Sequence, residues 1–233
     1  MSSELFLDGG EGTPLKLVRS PRARAMRLRV DQRTGRVLLT VPRGVSERKA
    51  RAWAAGQRGW IERQLATIAP PARLVPGASV PLYGLAHGID WDPQRPRTVR
   101  VEDKRLIAGG PADNLEARLL RWLRRHAAEL LASETRAFAA LAGVTVSRIT
   151  VGDPLSRWGS CSASGAIRYS WRLVLAPEWV RRTTVAHEVA HRVHMNHGPQ
   201  FHALVEELLG ADPKPARSWL RLNGPLLHRI ARA

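Results

Sequence analysis

Five of the eight histidines fall within the 16 residues from His187 to His202, and the first two open the run His187-Glu188-Val189-Ala190-His191. On an α-helix, residues four apart are rotated by about 40° and displaced by about 6 Å along the axis, so both imidazoles face one point and can share a metal ion. Glu188 sits about 100° round from His187. That is too far to make it an obvious third ligand, but it is well placed to take a proton from a water held by the metal. At this length and composition an HExxH pattern arises by accident in roughly one chain in a hundred.

Geometry ranks three contenders for a third ligand. His197 comes first: it lies some 15 Å beyond His187 on a continuous helix, but Asn196 before it and Gly198-Pro199 after it let the chain turn back over the metal. Glu206 or Glu207 on a following helix comes second, giving a His, His, Glu set. His194 comes third, because a straight helix cannot ring one ion with three side chains strung along its axis. His194 and His202 are read as groups that support a ligand or lie at the surface.

These residues need elements to position them. Pro177 suits the first turn of a helix that reads through to Met195, with Thr183 or Thr184 as a later capping choice. Pro199 starts a second helix ended by Gly210. Upstream, Asp113 or Asn114 caps a long helix carrying Leu115, Leu119, Leu123, Leu130, Leu131, Phe138 and Leu141 on its apolar side, stopped by Gly143. Between them lie a strand-like run over 144–151, the segment Arg157-Trp158-Gly159-Ser160-Cys161, a turn over 162–165, and an alternating run to Leu175 that reads as a half-buried strand. The C-terminal stretch from Lys214 reads as a packing helix interrupted at Asn223-Gly224-Pro225.

The N-terminal third differs in character. Runs at 15–18, 26–30 and 37–42 read as strands around a turn at 31–35, Ser46 caps a helix reaching about Ile68, and Trp53 and Trp60 belong to its core face. Residues 79–108 read as further short strands, broken by Asp92-Pro93, Arg95-Pro96 and Gly109-Gly110-Pro111. The main boundary is placed near Gly110, giving a basic β-rich subdomain with one helix over 1–110 and a second domain over 111–233, an α+β chain.

The net charge is +17, from 37 basic against 20 acidic residues. Between Lys16 and Arg63 there are 14 basic and 3 acidic residues, net +11, which points to nucleic acid or nucleotides as partners of residues 16–63. Only four of the basic residues are lysines, and a coding bias toward GC-rich codons gives the same skew. One cysteine, Cys161, excludes an intrachain disulfide and a Cys-rich metal site. The N-terminal residues, acidic at Glu4, Asp8 and Glu11, reverse the pattern of a secretory leader, and no apolar run approaches the length of a membrane span. The expectation is a cytoplasmic protein.

The segments 157–162 (RWGSCS), 169–177 (YSWRLVLAP), 187–191 (HEVAH) and 196–201 (NHGPQF), in that order and spacing, resemble the YgjP-like metallopeptidase family, which is related to the SprT-like zincins. The likeness extends, less specifically, over residues 15–210. It implies a zincin-like domain in which His187, His191 and His197 bind zinc and Glu188 is the general base. Ser170 stands where the family leads one to expect Asn, and His202 where it leads one to expect Trp.

On that reading the substrate is a peptide or protein. Zinc activates a water and polarises the carbonyl, and Glu188 relays the proton to the leaving amine. The run 166–175 is expected to pair with an extended peptide as an added strand, and Arg157, Tyr169 or Arg172 to steady the oxyanion. Two alternatives stand beside it. One is a metal-dependent nucleotide phosphohydrolase, for which no P-loop sequence is present. The other is a nucleic-acid-binding protein gripping phosphates through 16–63 with an associated hydrolase domain. Cys161 reads as a buried thiol rather than a nucleophile.

Overall fold

The computed structural model describes residues 2–6 and 14–231. Asp8 and Glu11, which enter the expectation about the N-terminus, lie outside the described residues. No helix among those described is long and apolar enough to cross a membrane. The chain is mixed α+β, with three small sheets and six α-helices among the described residues. It divides into two compact units, Met1–Pro70 and Pro71–Ala233.

In the first unit, strands β1 (Ser2–Phe6), β2 (Pro14–Arg19), β3 (Arg27–Asp31) and β4 (Arg36–Val41) form a sheet of order β1-β2-β4-β3. β3 and β4 make the expected antiparallel hairpin, with Leu28 opposite Leu39 and Val30 opposite Val37. Alternation places Val30 inside and Arg27 and Arg29 in water. Ser46 caps the following helix by accepting from the Lys49 amide at 3.3 Å. The single helix expected to Ile68 is instead two, α1 (Glu47–Ala55) and α2 (Arg58–Ala66), parted at Gly56-Gln57, where a glycine lowers helix propensity. Ala50, Ala54 and Ile61 pack on Leu15, Leu17, Leu39 and Val41, and Trp53 and Trp60 pack against the same core.

The second unit begins earlier than Gly110. Strands β5 (Ser79–Leu82), β6 (Leu85–Asp92), β7 (Arg100–Glu102) and β8 (Arg105–Gly109) form a sheet of order β5-β6-β8-β7. Val80, Leu82, Ile89, Leu106 and Ala108 share one core with Leu115, Leu119 and Leu123 of the long helix α3 (Leu115–Leu141). Burial therefore ties residues 79–109 to α3 and its core, whereas the proline and glycine clusters suggested a break. The β5–β6 turn, Tyr83-Gly84, has positive φ at both positions (55° and 78°), the geometry of a two-residue hairpin. Asn114 occupies the N-cap position of α3 but makes no side-chain cap bond. Leu141, expected on the apolar side, is 72% exposed.

The third sheet carries the site. β9 (Arg148–Gly152), β10 (Gly159–Cys161) and β11 (Ala166–Ser170) are ordered β10-β11-β9, with β11 antiparallel to β10 and parallel to β9. The strand expected from the alternation through Leu175 stops at Ser170, and Trp171–Leu175 is a 3-10 turn with every residue buried. Arg172, a wet position by that alternation, is instead 1% exposed, donating to Asp153 at 2.9 Å and to the carbonyls of Leu227 (2.7 Å) and Ile230 (2.6 Å). Helices α4 (Glu178–Ala190), α5 (Pro199–Leu209) and α6 (Lys214–Leu227) complete the unit. α5 begins at Pro199 and ends at Gly210 as its sequence suggests. α6 runs through Asn223-Gly224-Pro225 without interruption.

Candidate functional site

α4 starts after Pro177 and ends at Ala190, with His191 as its C-cap, five residues short of the expected Met195. Thr183 and Thr184 lie within it, their hydroxyls donating to the carbonyls of Trp179 (2.8 Å) and Val180 (3.3 Å). Residues 191–194 continue as a turn held by bonds from Arg192, Val193 and His194 amides back to Val189 and Ala190. This early stop is what allows the chain to double back before α5. Ligand atoms of His187, His191 and His197 all lie within 4.8 Å of one another. The Nε2 atoms of His187 and His197 are 3.1 Å apart.

The donor set fits a metal ion. Nδ1 of His191 donates to the His194 carbonyl at 3.1 Å, so that ring carries its proton on Nδ1 and its lone pair on Nε2, the tautomer a metal needs. Burial, reinforced by the neighbouring His191 and His197, pushes His187 down to about 3. Burial also lowers His191, against the opposing bond to the His194 carbonyl. A neutral imidazole keeps a ring lone pair available to a metal. Beneath them lies Phe201, fully buried, its ring centroid 4.9, 4.6 and 4.7 Å from those of His187, His191 and His197.

Of the other contenders, Glu206 and Glu207 are exposed on α5 and stand outside the histidine cluster. His194 contributes a backbone carbonyl rather than an imidazole. The His202 ring is 6.4 Å from that of His197.

Glu188 is 6% exposed. Desolvation lifts its carboxyl to about 7, against the pull of the Arg157 guanidinium. Strand β10 crosses directly over it: a methyl group on Gly159 would stand 2.6 Å from Cγ and 2.7 Å from Cδ of Glu188. Glu188 and His187 open onto a cleft of ≈ 180 Å³ whose lining includes Trp158, Gly159, Arg217 and Leu220. Gly224 of α6 touches Trp158 so closely that a methyl there would lie 2.7 Å from the indole.

The sequence offers three residues for the oxyanion. Arg172 is committed to the buried bonds described above. Tyr169 is fully buried, its hydroxyl 3.0 Å from that of Thr135, and burial raises its pKa. Arg157 alone is exposed beside Glu188. The Cys161 thiol donates weakly to the Ser162 carbonyl at 3.5 Å, and burial raises its pKa, the reverse of an activated nucleophile. The strand expected to receive a peptide, β11, has neighbours on both sides, and the sheet edge beside Glu188 belongs to β10.

Sequence reasoning missed Phe201, Gly159 and the His194 carbonyl. The four-residue spacing from His197 to Phe201 was a signal for the first. The other two depend on contacts between segments that spacing does not encode.

No curated protein and no solved structure matches the chain. The family described as YgjP-like, metallopeptidase domain, matches residues 24–223, a span that contains the histidine cluster, Glu188 and β10. The chain belongs to the YgjP-like metallopeptidase domain family.

Proposed function

We propose that the protein is a zinc-dependent, zincin-type peptidase in which His187, His191 and His197 hold the metal and Glu188 is the general base. The observation that carries this reading is the convergence of three imidazoles, one of which, His187, opens onto the same cleft as the buried Glu188. Three imidazole ligands suit zinc and leave a coordination position open. When bound, zinc supplies Lewis acidity toward a carbonyl and brings the pKa of a water it holds to about 7.

The chain's own residues do the rest. Glu188 takes a proton on a carboxylate oxygen from the attacking water and delivers it to the leaving amine nitrogen. Gly159 keeps β10 against that carboxylate and restricts its movement. An extended peptide adds along the free edge of β10, which aligns its backbone across the cleft. Arg157 is the cation placed to meet an oxyanion.

Incubating the zinc-loaded protein with an unstructured peptide library and reading products by mass spectrometry tests the proposal. Cleavage that a chelator stops and zinc restores is expected. A parallel panel of nucleoside triphosphates is expected to release no phosphate or pyrophosphate. Metal-dependent phosphoanhydride hydrolysis without peptide cleavage would replace the peptidase reading with that of a nucleotide phosphohydrolase.

A further inference from the structure

A second cleft, of ≈ 690 Å³, lies within the Pro71–Ala233 unit, and its lining includes Arg97, Arg118, Arg121, Trp122 and Arg125. None of its lining residues is acidic. Four of these residues come from α3 at positions i, i+3, i+4 and i+7, which places them on one helical face. The fifth, Arg97, lies against the residue that follows β8: a methyl on Gly110 would lie 2.6 Å from Arg97 Cγ. Gly110 is itself fixed by a bond from the Trp91 indole to its carbonyl at 2.9 Å.

The four guanidiniums are poorly neutralised. Arg118 donates through Nη2 to the carbonyls of Gly109 (2.7 Å) and Pro111 (2.9 Å), which hold the side chain without cancelling its charge. Its Nε is buried without an acceptor among the described residues. Arg125 approaches Glu129 only at 4.0 Å, with both side chains well exposed. Among the described residues Arg97 and Arg121 have no ion pair or hydrogen bond. From Arg118 to Arg125 the charge spans about 10 Å along the axis, more than a single phosphate would require. The Trp122 indole, braced by the parallel His126 ring at 4.9 Å, adds an aromatic surface to the same lining.

We infer that this cleft binds single-stranded nucleic acid, with the arginines on successive phosphates and Trp122 beside an unpaired base. Arginine recognises phosphate in a planar fork, and an aromatic surface among cations suits a strand whose bases are free. A duplex keeps its bases stacked inside and has no use for the indole. This site is separate from residues 16–63, where the sequence concentrates its positive charge. It does not depend on the peptidase reading.

Fluorescence anisotropy of a labelled oligothymidylate of about 12 nucleotides with the full chain tests the inference. Replacing Arg121→Ala and Arg125→Ala together, both exposed, is expected to weaken binding at least ~10-fold and to reduce the log–log salt slope by about 1.4. The paired change Arg48→Ala and Arg63→Ala in the first unit removes the same charge, and is expected to alter affinity less than ~2-fold. Unchanged thermal melting of the variants, with an Arg121→Gln, Arg125→Gln pair as a second version, separates lost binding from lost fold. Absence of binding, equal losses in the two paired variants, or competition by thymidine triphosphate as effective as by the oligomer would each overturn it.

Discussion

Glu188→Gln is expected to lower peptide hydrolysis by about 10²- to 10⁴-fold, the usual contribution of a positioned general acid–base group, while zinc per chain stays at the wild-type level. Glutamine fills the same volume under β10 and can hydrogen-bond, but it cannot take a proton from water and return it to an amine. The proposed metal ligands flank this residue without including it, so metal content and rate should separate. Gly159→Ala should share the phenotype through position rather than chemistry. Its methyl would overlap Cγ and Cδ of Glu188, and displacing a reacting group by about 1 Å costs on the order of 10²-fold. Chelator-sensitive cleavage measured for each variant beside its metal content checks both. A Glu188→Gln protein that bound zinc and cleaved within about threefold of wild type would remove Glu188 from the chemistry.

Arg181→Ala should be the most destabilising single change near the site. Arg181 lies on α4, six residues before His187, with its side chain 4% exposed against 9% for Glu134 of α3. Its Nε and Nη2 make contacts of 2.9–3.1 Å to both carboxylate oxygens. Removing the arginine leaves a carboxylate buried without its counter-charge. Such losses cost about 3–5 kcal/mol, which for a protein of this size lowers Tm by on the order of 10 °C. The double change Arg181→Met, Glu134→Leu should recover most of that loss, because the pair's attraction chiefly offsets its own desolvation. Thermal melts of the single and double variants decide this. A single variant within about 1 kcal/mol of wild type would show that the pair does not hold α4 against α3.

The site was more legible than its supports. His187, Glu188 and His191 announce themselves because metal chemistry needs those residue types at helical spacing. His197 could be ranked first because Gly198-Pro199 promises a change of direction. The early end of α4 was not legible. Residues 191–195 contain nothing that breaks a helix; the turn closes on Val189 and Ala190 through backbone bonds, with the His191 and His197 rings packed on Phe201.

Period-two patterning failed at Trp171–Leu175 for a similar reason. Arg172 reads as a solvent position until Asp153 and the carbonyls of Leu227 and Ile230 are seen to surround it. The boundary near Gly110 rested on glycine and proline, which mark local turns but not which core the neighbouring strands join. The close pass of β10 over Glu188 joins residues 29 apart in sequence, and only the absence of a side chain at Gly159 hints at it.

His187 and His191 at one helix end and His197 on the returning chain are proposed to form a single metal site. Zinc per chain, measured by elemental mass spectrometry on untagged protein, tests it directly for wild type beside His197→Ala. Near one equivalent is expected in wild type and a marked loss in the variant. No bound zinc in wild type after loading and removal of excess, or full retention in His197→Ala, would contradict it.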